Sequence, residues 1–199
     1  MTPTAAERGR EVRRKLLTAA VELIPERGWN AVSTRLLAER AGVAAGLVHY
    51  HFHSLPGLLR EAAVGAMREV LSATEPVLAP TTTVDAGVDL MLASLDTYTG
   101  TDPTSLLFVE TYLAATRDES LRTELAGLLE DFRGTLASWL AEHGQDDAQR
   151  TAAVLAAAFD GVMLHRVLNP DLTSHTVSPV LRRILATGKP NRRETGRSR

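Results

Sequence analysis

The chain has no cysteine in 199 residues, and only 5% of them are aromatic. The first absence excludes disulfides, thiolate nucleophiles and Cys-ligated zinc, and it fits a reducing cytoplasm. Alternating runs of Val, Ile and Thr are scarce, which argues against a sheet. No segment is long and apolar enough to span a bilayer, and the run Val154–Leu164 is interrupted by Asp160. The start of the chain carries Arg8, Arg10, Arg13, Arg14 and Lys15 with no apolar stretch beside them, unlike a signal peptide. Enzyme signatures are missing too: there is no H-E-x-x-H, no phosphate-binding loop and no Ser in a G-x-S-x-G setting. These absences point to a cytoplasmic protein that is not an enzyme and needs no cofactor.

What is present is helical. Hydrophobic residues make up 44% of the chain, much of it Ala and Leu. Val12, Leu16, Leu17, Ala20, Leu23 and Ile24 follow helical spacing and predict a helix over residues 5–27, with Gly28 as its stop and Pro25 bending its last turn. Pro56 opens a helix to about Ala73. The Pro- and Thr-rich segment 75–83 reads as a loop. Further helices are predicted over 84–98, 104–116, 119–142, 148–168 and 176–186. The whole is therefore all-α.

The stretch Ser33–Phe52, STRLLAERAGVAAGLVHYHF, carries the functional signal. Ser33 suits an N-cap, Leu37 and Ala41 share a helical face, and Gly42 suits the left-handed position that ends a helix. A second short helix over 44–50 turns Val48 inward. This is the layout of a helix-turn-helix, whose second helix enters the major groove of double-stranded DNA. Charge agrees. Residues 1–60 hold nine Lys/Arg and five Asp/Glu, residues 61–188 hold eight and eighteen, and residues 189–199 hold five and one. A basic front on an acidic body is expected when only the front meets phosphate.

Residues 12–59 resemble the TetR, or tetracycline-repressor-like, bacterial transcriptional regulators. The resemblance rests on ERGW (Glu26–Trp29), on LAERAGVAAGLVHYHF (Leu37–Phe52) and on Leu58-Leu59. It implies a helix-turn-helix domain over residues 1–54 and a helical ligand-binding and dimerisation domain over 55–188, followed by the basic tail 189–199. It further implies a homodimer that binds a palindromic operator as a repressor and leaves it when a small, largely apolar effector binds. The alternative is a DNA-binding regulator without a small ligand, controlled by a protein partner.

The sequence departs from the family where it would touch DNA. Ala44 and Ala45 stand where Ser or Thr and a basic residue are frequent, His49 replaces a common Tyr, and Leu55 replaces a phosphate-contacting Lys. The recognition helix has no Arg, Lys, Asn or Gln for a bidentate base contact. The expected DNA-facing residues are Ser33, Arg35, Ala44, Ala45, Gly46, Leu47, His49, Tyr50 and His51. Methyl contacts to thymine, histidine and tyrosine contacts to phosphate, and DNA shape would then supply recognition. The basic arm Arg8–Lys15 would add backbone or minor-groove contacts. The alternation of His49, His51 and His53 does not make a metal site, because helical residues two apart do not share a face.

Two further groups are expected from the body. Met91, Leu95, Phe108 and Tyr112 would line an effector pocket or form ordinary core. Glu110, Asp160 and His165 are polar groups in apolar helices that would serve as pocket acceptors or satisfied core groups. Leu125, Phe132, Trp139, Leu155, Phe159 and Val162 lie on the two long helices, which carry more apolar surface than one packing partner needs. These residues are expected in a four-helix dimer interface.

Overall fold

A computed structural model of the chain describes residues 4–186. The expected basic tail lies outside the described residues. Among these residues the secondary structure is helical: α1 (Ala5–Arg27), a 3-10 turn (Trp29–Ala31), α2 (Thr34–Ala41), α3 (Gly46–His51), α4 (Leu55–Ser72), α5 (Thr74–Leu78), α6 (Val84–Leu95), α7 (Pro103–Ala115), α8 (Glu119–Glu142), α9 (Ala148–Arg166) and α10 (Ser174–Ala186). The all-α expectation holds.

The chain divides into two compact units that do not follow its linear order. Residues up to Ala73 group with Tyr98–Asp131, and Thr74–Thr97 group with the described residues from Phe132 onward. The domain expected over 55–188 is thus shared: α4, α7 and the start of α8 belong with the helix-turn-helix.

In the first unit, α1 starts on a capping box. The Glu7 amide donates to Thr4 Oγ1 (3.2 Å) and the Thr4 amide donates to Glu7 Oε2 (2.6 Å). Leu16, Ala19, Ala20, Leu23 and Ile24 form the buried stripe of α1. They pack with Leu37 of α2, Val48 of α3, Leu58 and Leu59 of α4, and Leu107 of α7. A helix from far along the chain therefore completes the core of the DNA-binding region. Its own start is set by Asp102, whose carboxylate accepts from the Ser105 amide (3.0 Å), the Ser105 hydroxyl (2.6 Å) and the Thr99 amide (2.8 Å). Burial raises the Asp102 carboxyl, but the Ser105 and Thr99 hydrogen bonds outweigh it and hold it below the usual carboxylate range. A depressed carboxyl stabilises the fold above its unfolded pKa and loses that contribution as pH falls through its folded value. Asp102→Ala is expected to cost about 1–2 kcal/mol at pH 7. Denaturant titrations should show the difference shrinking below about pH 4, where the carboxyl protonates in the unfolded chain; an unchanged difference would count against the cap.

In the second unit, Leu78, Val88, Leu92, Leu136, Leu140, Leu155 and Phe159 form a separate core. Trp139 lies within it, its indole N–H donating to Thr81 Oγ1 (3.1 Å). Gly87 of α6 packs directly on the Trp139 ring, so close that a methyl group there would overlap Cζ2 and Cη2. Arg166 is buried at the end of α9. It donates to the backbone carbonyls of Leu95 and Leu172 and pairs with Asp96 (3.0 Å), tying the ends of α6 and α9 to the approach to α10. Asp89 of α6 accepts from Ser178 and pairs with Arg182 (3.3 Å) of α10.

The loop expected over 75–83 begins as helix α5. Pro76 sits in its first turn, where no intrahelical donor is lost. Helix α6 stops at Leu95 rather than near Tyr98, and α9 stops at Arg166 rather than Leu168. Asn169-Pro170 stops α9, since a proline at 170 has no N–H for the Arg166 carbonyl, and Arg166 and Asp96 pair where the two helices end.

Candidate nucleic-acid interface

The reading surface is built by local signals. Ser33 Oγ accepts from the Leu36 amide (3.3 Å) and starts α2. Gly42 adopts φ 65° and ψ 38°, and the Val43 amide donates to Ala38 O (3.0 Å), so the chain reverses within one residue. Val48 then faces the core at 2% exposure, which fixes the rotation of α3. Phe52, also buried, closes its end.

That rotation decides which expected residues face solvent. Ser33, Arg35, Ala44, Ala45, Gly46, His49 and Tyr50 are exposed, Tyr50 at 81%. Leu47 and His51 are only half-buried. His51 leans on α1, its Cε1 within van der Waals reach of where a Gly9 side chain would begin, and it meets the Tyr50 ring edge-on at 5.0 Å. The exposed face is thus small, with one imidazole, one phenol, the Arg35 guanidinium and the Ser33 hydroxyl as its polar groups. Among the described residues, no cluster of three His, Asp or Glu side chains is placed to hold a metal ion.

The basic arm is less available than its charge suggests. Arg13 pairs with Glu61 of α4 (2.5 Å) and lies over the Phe52 ring at 4.8 Å. Arg14 pairs with Glu11 (2.7 Å). Arg40 bridges α2 to α1 through Glu26 (2.6 Å) and Glu22 (3.2 Å), and these hydrogen bonds raise its already high pKa. Arg13 and Arg40 therefore tie α4 and α2 to α1.

The residues expected at an effector pocket are divided between the two units. Met91 is buried and Leu95 packs in the core of the second unit. Phe108 and Tyr112 belong to the first, where Tyr112 is half-buried. Phe108 lines a cleft of about 340 Å³ between α1, α4 and α7, with Val21, Ala66, Val70 and Leu107 as further apolar walls and Glu69 and Thr104 as polar groups. Glu110 does not face this cleft. It accepts from the Trp29 amide (2.8 Å) at the corner after α1.

The residues expected at a dimer interface are turned into a single chain. Leu125, Trp139, Leu155, Phe159 and Val162 are all buried within one protomer, and Phe132 packs against the second core. The apolar residues of α9 that remain exposed lie opposite: Val154 at 64% and Leu164 at 50%, with Ala157 between them and Leu168 just past the helix end. Both faces of α9 are apolar, and periodicity alone does not tell them apart.

The N-terminal region matches the family of bacterial regulatory proteins called the tetR family over residues 16–62. Residues 82–187 match the tetracyclin repressor-like C-terminal domain. The transcriptional regulator BetI of Rhizobium meliloti (strain 1021) is 31% identical over 170 residues, covering 79% of each chain. Among solved structures, the Streptomyces coelicolor A3(2) regulator SCO7518 is 28% identical with a TM-score of 0.71, over 88% of this chain and 98% of its own. The multidrug binding protein EbrR, solved in complex with imidazole, is 28% identical with a TM-score of 0.64, over 92% of this chain and 98% of its own. Helix-turn-helix, helical body and sequence thus agree: the chain belongs to the tetR family of DNA-binding bacterial transcriptional regulators, which are not enzymes.

Proposed function

We propose that the protein is a homodimeric repressor that binds a palindromic operator and is released by a small, largely apolar effector. The observation that carries the DNA part is the exposed α3 face, held in place by the buried Val48 and Phe52. A head with so little surface for base contacts needs two copies on one site, because each contributes few specific hydrogen bonds. The dimer is supported by α9. Val154, Ala157, Gly161, Leu164 and Leu168 recur at alternating intervals of three and four, the spacing of a helix-pairing seam. This seam replaces, as the proposed interface, the five buried residues among the six named from the sequence; the sixth, Phe132, is half-buried.

The effector part is supported by the cleft lined by Phe108, which touches both α1 and α4 of the DNA-binding region. A ligand there acts on the reading head directly, provided it binds one arrangement of α7 against α1 better than another. EbrR, captured with imidazole, shows a protein of this fold holding a small molecule. Control by a protein partner is favoured by a different observation: the core beneath α6 is filled by Met91, Leu92 and their neighbours.

Selection of duplexes from a random pool by the purified protein tests the reading. The expected product is an inverted repeat with half-sites about one DNA turn, or a multiple of it, apart. Enrichment of a single asymmetric half-site would remove the dimeric operator. No enrichment at all would remove sequence-specific DNA binding.

A further inference from the structure

The corner between α1 and α2 is capped from outside its own sequence. Gly28 leaves α1 at φ 83°, a conformation that suits glycine. Gly28 also precedes the 3-10 turn and has no side chain to cap it, so the Trp29 amide has no local acceptor. The acceptor is Glu110 Oε2 of α7, at 2.8 Å and 81 residues away. The same carboxylate covers Gly28, both oxygens lying within 4 Å of where a Cβ would be. A carboxylate on a backbone amide in a part-buried setting is a charge-assisted, directional contact. Leu107, one turn earlier on α7, enters the core shared by α1–α4. Helix α7 therefore holds the reading head twice, once by packing and once at the turn that aims α2.

The geometry points to Glu110 as the positioning residue that transmits the placement of α7 to the recognition helix. The chain from it is short. Glu110 fixes the Trp29–Ala31 turn, that turn delivers Ser33 as the cap of α2, and α2 sets α3 through the Gly42 reversal. The Phe108-lined cleft opens between the same α7 and α1, two residues along from Glu110. A molecule in that cleft that displaces α7 from α1 pulls on this contact first. The inference rests on the regulator reading above and names the residue through which regulation passes.

Glu110→Ala and Glu110→Gln test it in the full-length protein, with a duplex selected by the native protein and an unrelated duplex of equal length. Glu110→Ala is expected to weaken the selected duplex by about tenfold and leave the unrelated one unchanged, because aim is lost and charge on the DNA face is not. Glu110→Gln keeps an amide oxygen that accepts from Trp29 and is expected to recover most of the loss. In DNA-free protein, hydrogen exchange should rise at the 29–31 turn and the start of α2 in Glu110→Ala while the middle of α1 stays protected. Equal loss on both duplexes, or affinity for the selected duplex equal to native, overturns the inference while leaving the regulator reading intact. So does unchanged exchange at the 29–31 turn. If the native protein selects no duplex, the regulator reading falls and takes this inference with it.

Discussion

Leu164→Glu is expected to yield a folded monomer whose affinity for a selected duplex is about a hundredfold lower or worse. Leu164 is half exposed on α9 and makes no part of either core, so the substitution leaves the single chain close to native stability. In a two-fold dimer the same patch meets itself, and two carboxylates would be brought together out of water. Loss of the partner removes the second reading head and with it the avidity that a small α3 face depends on. Sedimentation velocity and duplex titration read the two effects separately. Leu155→Glu provides the contrast. Leu155 is 2% exposed in the protomer core, so its replacement should unfold the chain rather than split a dimer. A Leu164→Glu protein that stays dimeric would show that the α9 seam is not the interface.

Gly87→Ala should lower stability by about 3 kcal/mol, the upper end of what one added methyl group costs in a packed core. A Cβ at Gly87 would overlap the Trp139 ring, and a rigid indole cannot bend away as a flexible side chain can. Moving the ring also breaks its hydrogen bond to Thr81 and disturbs Leu78, which closes on the same glycine. Gly65→Ala is the matched control. Gly65 lies exposed in α4 with open space where its Cβ would be, so the change should stabilise the helix by about 0.5–1 kcal/mol. Urea titrations followed by tryptophan fluorescence and by helical circular dichroism measure both. If Gly87→Ala melts with the native protein, the close approach of α6 to Trp139 is refuted.

The second prediction was invisible from the sequence, and the reason is physical. A glycine inside a helix costs stability unless something needs the space, and what needs it here, Trp139, lies 52 residues away. Glu110 is a similar case. A carboxylate in an apolar helix reads as a pocket group or a satisfied core group, and its partner is a backbone amide 81 residues distant. Arg166 and Asp96 likewise meet across 70 residues of chain, a pairing that no local pattern announces.

Local chemistry did settle the helix-turn-helix. Ser33 caps, Gly42 turns and Val48 points inward, and each of these follows from the residue and its immediate neighbours. The eight-residue α2 is legible because its start, stop and buried residue lie within a few positions of one another, whereas α3 runs Gly46–His51 rather than over 44–50. Helix α8 also spans 119–142 as its periodicity predicts. The stretch Ser33–Phe52 was therefore enough, on its residues alone, to identify a DNA-reading head. The tertiary structure decided which face of α9 is buried and which stays exposed, because apolar side chains ring that helix and only packing chooses between Leu155 and Leu164. It also decided that α7 belongs with the reading head, since that grouping rests on Leu107 and Glu110 meeting residues from the other end of the chain.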